Sequence, residues 1–341
     1  PVLIAQLAWF MHWKKFLIMK KIVILGSEGY IGTSVVDFLS KKKTFKIIGL
    51  DNLIYSQKNK LKTYINYDFN KIDIRNLKKT SKICKDAYCV IILAGLVGDP
   101  ITKKYKKLSN LINLVAIKKL IKELNSQNIK KLIFVSTCSN YGIKKNKLLK
   151  ETAKLNPISF YSKQKVEIEK YLLNNTFKFS KTILRFATAF GLSRRMRFDL
   201  TINEFVKTAF YNETLEIYHG NTYRPYCHVK DFGRIIYKMI KAPINKIDGE
   251  IFNCGSNSNN FSKIQISNFL KKKYHQLRIK KVSVNLDLRN YRVDFEKIKK
   301  FMKNKKNFVS INYGIKEISH FLKKNRDLNF IDYGNYKIIK K

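Results

Sequence analysis

Tyr161-Ser-Lys-Gln-Lys165 sets a phenol and an ammonium four residues apart, on one face of the chain if the stretch is helical. A free phenol titrates near ~10, too high for a base at neutral pH, but a nearby ammonium or a bound positive ring would stabilise the phenolate. In a chain with 69 Lys and Arg such a pair also arises by chance on a solvated helix face. Ser136-Thr-Cys-Ser-Asn-Tyr-Gly142 changes the balance: it directly follows the apolar run Lys131-Leu-Ile-Phe-Val135, so its hydroxyls sit at a strand end where they can meet the tyrosine. Proton abstraction from a substrate hydroxyl is the chemistry within reach of this set.

Earlier in the chain stands a second constellation. Ile22-Val-Ile-Leu25 reads as a strand, Gly26-Ser-Glu-Gly29-Tyr-Ile-Gly32 as the turn into a helix, Phe45-Lys-Ile-Ile-Gly-Leu50 as the next strand, and Asp51 closes it. Glycines let the backbone approach a pyrophosphate, the helix start offers unpaired N–H groups, and an acid at the second strand end accepts from ribose hydroxyls, which favours NAD over NADP. A glycine triplet alone also fits an ordinary strand-to-helix turn. Here strand, helix and acid agree, with Asp51 nineteen residues beyond Gly32.

The elements that must position these residues alternate. Tyr88-Cys-Val-Ile-Ile-Leu-Ala94 is a fully apolar run ending in Gly95, Leu108 to Asn125 has helical spacing, a helix is expected from about Phe160 to Leu173, and Lys181 to Phe186 is a further strand. After Asp51 a polar, Lys-rich stretch runs to Lys71, ahead of Ile72-Asp-Ile74. Such alternation predicts an α/β fold, a parallel sheet covered on both faces with ligands at the carboxyl ends of its strands. Past Gly191 the rhythm loosens, as for a smaller lobe over the open edge.

With 341 residues, one large domain with a lobe and two domains both remain open. The net charge of +45 would suit a nucleic-acid partner, yet the lysines are scattered in twos and threes along the whole chain, with no dense arm. Nucleic-acid binding is therefore not expected as the main function, although the charge would help gather anionic substrates. Cys84, Cys89, Cys138, Cys227 and Cys254 have neither metal-site nor disulfide-framework spacing, which implies reduced thiols, a cytoplasmic setting and no metal site. Residues 1–18 precede Met19-Lys-Lys-Ile-Val-Ile-Leu-Gly26, which itself reads as a natural amino terminus. They are expected to be an extension outside the fold, too short in apolar residues to span a membrane.

Taken in order, these motifs resemble the extended short-chain dehydrogenase/reductase family, in its branch of NAD-dependent nucleotide-sugar epimerases and dehydratases, over roughly residues 19 to 330. The resemblance also rests on Asp73-Ile74, Leu93-Ala-Gly-Leu-Val-Gly98, Leu184-Arg-Phe-Ala-Thr-Ala-Phe-Gly191, Arg224-Pro-Tyr-Cys-His-Val-Lys-Asp231 and Asn253-Cys-Gly255. It implies a Rossmann-type doubly wound parallel sheet over 19–190 and a smaller substrate-binding lobe over 191–341, with about 226–256 returning to the first domain.

By that resemblance Tyr161 is the base, Lys165 holds the ribose and lowers the phenol's pKa, and Thr137 bonds the reacting sugar hydroxyl. NAD would be held by Gly26, Gly29, Tyr30, Ile31, Gly32, Asp51, Asn52, Asp73, Ile74, Leu93, Ala94 and Gly95 together with Tyr161 and Lys165. The nucleotide-sugar would meet Thr137, Ser139, Thr188, Arg197 and Arg224, with Arg289 or Arg292 replacing a late arginine that does not align. The cluster Arg194-Arg-Met-Arg197 is expected along the phosphate path, and His228 as a structural histidine. The family's dehydratases carry an acid pair after the threonine. Cys138 and Ser139 stand there instead, which argues against water elimination and leaves Cys138 only a speculative acid. The expected activity is nucleotide-sugar epimerisation at C4 through a 4-keto intermediate. The alternatives are a 4-ketoreductase or dehydrogenase using the same residues, and, from another class, an RNA-binding or scaffold protein on this fold. The family also implies a homodimer, paired through the Leu108 to Asn125 and Tyr161 helices.

Overall fold

The computed structural model describes residues 19–55, 63–282, 289–303 and 308–338, except for the side chains of 145 and 146. The expected extension 1–18 lies outside the described residues. Seven strands form one parallel sheet: β1 (Lys20–Leu25), β2 (Phe45–Asp51), β3 (Tyr67–Lys71), β4 (Cys89–Ile92), β5 (Lys131–Thr137), β6 (Ser180–Phe186) and β7 (Ile251–Cys254). Their order across the sheet is β7-β6-β5-β4-β1-β2-β3, the doubly wound α/β arrangement. The chain runs outward from β1 in one direction and from β4 in the other, and the strand ends between them open a crevice.

Apolar runs become central strands because both faces are covered. All four residues of β4 are solvent-inaccessible. On one face Val35, Val36 and Leu39 of the Tyr30–Leu39 helix pack with Ile235, Ile236 and Met239 of the Val229–Lys241 helix. On the other, Ile117, Leu120 and Ile121 pack with Ile168 and Leu172. Lys131, at the start of β5, is buried, and its Nζ donates to the carbonyls of Ile240 (2.7 Å) and Ala242 (2.6 Å). A cation thus satisfies the carboxyl end of the Val229–Lys241 helix, where orphan carbonyls and the helix dipole both favour it.

Two elements depart from the sequence expectation. The polar stretch up to Lys71 contains β3, an edge strand with only Tyr67 buried, so it lacks the apolar run of its neighbours. The helix expected over Leu108 to Asn125 is an α-helical run interrupted by a π-helical turn at Leu111–Ala116. Past β6 the chain builds a smaller lobe around Phe190, Phe198, Phe205, Ile266 and Ile318, with a three-stranded sheet of Thr188–Phe190, Tyr223–His228 and Asn260–Ser262. It returns to the main sheet through β7, which pairs with β6.

Candidate active site

A cavity of about 580 Å³ opens at the carboxyl ends of β1, β4 and β5, beneath the smaller lobe. It is lined by Gly26, Gly29, Tyr30, Ile31, Gly32, Asp51, Asn52, Asp73, Ile74, Leu93, Ala94, Gly95, Thr137, Ser139, Tyr161, Lys165, Thr188, Arg197, Arg224 and Arg289. Of the residues named from sequence, Arg292 lies outside this lining: its guanidinium sits 5.2 Å above the Tyr223 ring.

The glycine loop packs against the β4 loop without room for side chains. Gly26 has φ +85°, and a Cβ there would stand 2.7 Å from the Ala94 nitrogen, while a Cβ on Gly32 would run into the Gly26 carbonyl. Gly29 caps the Tyr30–Leu39 helix with no side-chain bond, so the helix start is left for an anion. Asp51 accepts from the N–H groups of Glu28 (3.1 Å) and Leu53 (2.9 Å), and burial pushes its carboxyl up. Asn52 donates to Asp73 at 2.8 Å, which joins the β2 and β3 ends into one rim. The tight glycine turn, the uncapped helix start and the buried acid fit a dinucleotide.

Thr137 ends β5 and caps the short turn Cys138–Tyr141. Its Oγ1 accepts from the Ser139 N–H at 3.1 Å and shares a 2.9 Å hydrogen bond with the Ser139 hydroxyl. Tyr161 and Lys165 lie in the first turns of the Phe160–Asn174 helix, which Ser159 opens with a capping box. The Lys165 Nζ donates to the Val135 carbonyl at 2.8 Å and lies 5.7 Å from the Tyr161 ring centre. Burial brings the Lys165 ammonium down to about 8, against the pull of Glu169. Burial, and then Asp99, push the Tyr161 phenol above its ordinary range. The depression of the phenol expected from Lys165 is therefore not produced by the described protein groups alone.

Behind the loop lies a buried ionic network. Glu169 accepts from the Ser136 hydroxyl, from Asn140 Nδ2 (2.8 Å) and from both Nε and Nη2 of Arg185, the last at 2.7 Å. Arg185 also donates to the Tyr141 hydroxyl at 3.1 Å. Glu169 stands one helical turn after Lys165, so one helix fixes both the ammonium and the loop that carries Thr137. The π-helical turn does similar work: it brings Asn113 to the β4 loop, where Oδ1 accepts from Leu96 N–H (2.7 Å) and Nδ2 donates to Leu96 O (2.9 Å). Neither Glu169 nor Asn113 was marked by motif. Glu169 had only its helical spacing from Lys165 as a signal, and Asn113 had none.

Two sequence expectations change in detail, and a third, for His228, does not. Cys138 is buried with its thiol toward the Arg185 carbonyl (3.1 Å) and is not part of the cavity wall, and burial pushes that thiol well up, so the speculative acid has no access. The Arg194–Arg197 cluster divides: Arg194 pairs with Asp37 (2.8 Å) behind the glycine loop, while Arg195 and Arg197 line the cavity. Arg197 is gripped by both oxygens of Asp199, and Arg289 pairs with Asp99 at 2.7 Å, beside Arg224, which donates to the Arg289 carbonyl. His228 is fully buried, bonded to Glu317 through Nε2 (2.5 Å) and to the Lys230 N–H through Nδ1 (3.2 Å), a structural placement.

Comparison with known proteins agrees with this geometry. The chain is 24% identical over 277 residues to the UDP-glucose 4-epimerase of Lactobacillus helveticus, covering 74% of this chain and 81% of that protein. It is 24% identical over 233 residues to the GDP-6-deoxy-D-talose 4-dehydrogenase of Aggregatibacter actinomycetemcomitans, covering 66% and 71% respectively. In fold it is similar to the UDP-glucuronic acid 4-epimerase of Bacillus cereus, whose crystal structure holds UDP-glucuronic acid and NAD. The TM-score is 0.80 at 22% identity, over 89% of this chain and 99% of that one. The pattern of the NAD dependent epimerase/dehydratase family matches residues 22–255, the stretch that carries the glycine loop, Thr137, Tyr161 and Lys165. The chain belongs to that family, and its cofactor is NAD.

Proposed function

We propose that the protein epimerises a nucleotide-sugar at C4. The observation that carries this is the composition of one cavity wall. Tyr161, Thr137 and Lys165 share it with the glycine loop and, from the smaller lobe, with Arg197, Arg224 and Arg289, while no carboxylate stands at positions 138 and 139. The glycine loop, Asp51 and Lys165 would hold NAD, which would supply reversible hydride acceptance. Tyr161 takes the proton of the C4 hydroxyl, which Thr137 orients through its own hydroxyl, and returns it after the 4-keto sugar has turned. The arginines hold the substrate diphosphate so that the keto sugar rotates without leaving. With no acid pair beside Thr137, water elimination lacks a proton donor and base.

A second reading, a nucleotide-sugar 4-dehydrogenase or reductase on the same residues, is favoured by the similarity to a GDP-6-deoxy-D-talose 4-dehydrogenase. A nuclear magnetic resonance assay with UDP-, dTDP-, GDP- and CDP-sugars separates the two. A new anomeric signal at constant NADH, absent from Tyr161→Phe, is the expected result. Net NADH change with a keto product would favour the second reading.

We further propose a cytoplasmic homodimer. The Phe160–Asn174 helix packs beside the Leu111–Ala116 turn, and each leaves a leucine to solvent, Leu173 (40% exposed) and Leu111 (48% exposed). Among the described residues no helix is long and apolar enough to cross a membrane.

A further inference from the structure

Arg195 differs from the arginines around it. It is buried at 4% exposure and lines the cavity, yet its hydrogen bonds go to neutral acceptors: Asn335 Oδ1 at 2.7 Å and the Gly334 carbonyl at 3.2 Å. Its guanidinium lies 5.1 Å above the Tyr55 ring, and among the described residues no carboxylate is within ion-pair distance. Arg197 and Arg289 each have one. Burying a cation is costly unless nearby charge offsets it, and the carboxylates that act on Arg195, Asp199 and Asp51, neither pair with it nor bond to it. Burial, with Arg197 nearby, brings Arg195 down to about 10, although Asp199, Tyr55 and Asp51 pull the other way.

The groups that hold Arg195 come from a segment beyond residues 22–255, the stretch that the family pattern matches. That segment is pinned at several points. Phe198 N–H donates to the Tyr333 carbonyl (2.7 Å), Asn335 Nδ2 donates to the Val97 carbonyl (2.9 Å), and Ile338 bridges Tyr55 and is buried against the Rossmann core. Asn335 and Tyr336 line the cavity itself. The segment therefore runs from the smaller lobe to the β2 and β4 loops across one side of the ligand space.

We propose that Arg195, clamped by the Gly334–Asn335 segment, is an anion-binding residue for a diphosphate in this cavity, and that the segment is a wall that retains the ligand. The diphosphate is that of NAD or that of the nucleotide-sugar. The first source rests on family membership alone, the second also on the proposed function.

Equilibrium binding to the full chain tests this without turnover, so failure of the wall is distinguishable from failure of the proposed reaction. Asn335→Asp offers Arg195 an internal carboxylate, and Asn335→Ala removes the clamp. Titration calorimetry with NAD, and with UDP, dTDP, GDP and CDP in turn, is expected to show about tenfold weaker binding by both variants for at least one ligand class, the loss of roughly one charge-assisted bond. NAD content on purification falls as well if the cofactor is the one held. Weakened NAD binding assigns Arg195 to the cofactor and weakened nucleoside diphosphate binding assigns it to the substrate. A residue that only supports the fold would lower the unliganded melting temperature and leave both affinities unchanged. Affinities within about twofold of the parent for every ligand overturn the proposal. If circular dichroism shows that the variants at 335 do not fold, Arg195→Gln is judged by the same criterion.

Discussion

Deprotonating Tyr161 is uphill in the protein by itself. Burial and Asp99 oppose the phenolate, and Lys165, brought down to about 8, is turned to the Val135 carbonyl. Burial thus opposes the charged form of both side chains, and a further positive charge nearby would favour the phenolate. An ultraviolet difference titration of the parent against Tyr161→Phe should show the Tyr161 phenolate only above the ordinary tyrosine range. With NAD bound it should appear at lower pH, and identical titrations in the two states would refute this. In the same comparison Tyr161→Phe should lose turnover by roughly 10²–10⁴-fold while keeping its NAD. The tyrosine, lysine and threonine were legible in the sequence because their chemistry is tied to fixed spacings. Asp99, which raises the phenol, and Asn335, which clamps Arg195, carried no such signal, since their roles come from segments that the fold brings together.

At the scale of elements, the glycine turn and the Phe160–Asn174 helix set the tolerances. Gly32→Ala forces a Cβ into the Gly26 carbonyl, so the loop must open and NAD binding should fall below detection in calorimetry, with secondary structure kept. Unaltered affinity would mean that the loop yields elsewhere. Glu169→Ala strands the buried Arg185 guanidinium and the Ser136 and Asn140 donors, which should cost about 3–5 kcal/mol in urea unfolding. A loss under about 1 kcal/mol would contradict this. The central strands were readable from their apolar runs, because a strand covered on both faces has little choice of residue. β3 was not: at the sheet edge only Tyr67 is buried, and Tyr67-Asp-Phe-Asn-Lys71 looks like a connection. The π-helical turn was equally silent, since its apolar residues fit an α-helix as well.

For the whole molecule, charge and association are the open properties. The excess of 45 positive charges is scattered in twos and threes along the chain, with no dense basic arm. This suits a field that gathers phosphorylated substrates rather than a groove for RNA, and the substrate KM should rise with ionic strength. Salt-sensitive RNA binding without nucleotide-sugar turnover would reverse that ranking. For the proposed homodimer, sedimentation should give twice the chain mass, and Leu111→Glu with Leu173→Glu should give the monomer with the melting transition retained. A monomeric parent protein would remove the proposal.

In the proposed epimerisation the hydrogen at C4 leaves the sugar and returns to the same carbon under the control of Tyr161. Once the panel has named the substrate, it should be prepared with deuterium at C4, converted, and its product read by magnetic resonance and mass spectrometry. Retention of the label at C4 of the epimer, with none in the water and no conversion by Tyr161→Phe, is the predicted result. Loss of the label to solvent, or its appearance in free NADH, would rule out C4 epimerisation by this route.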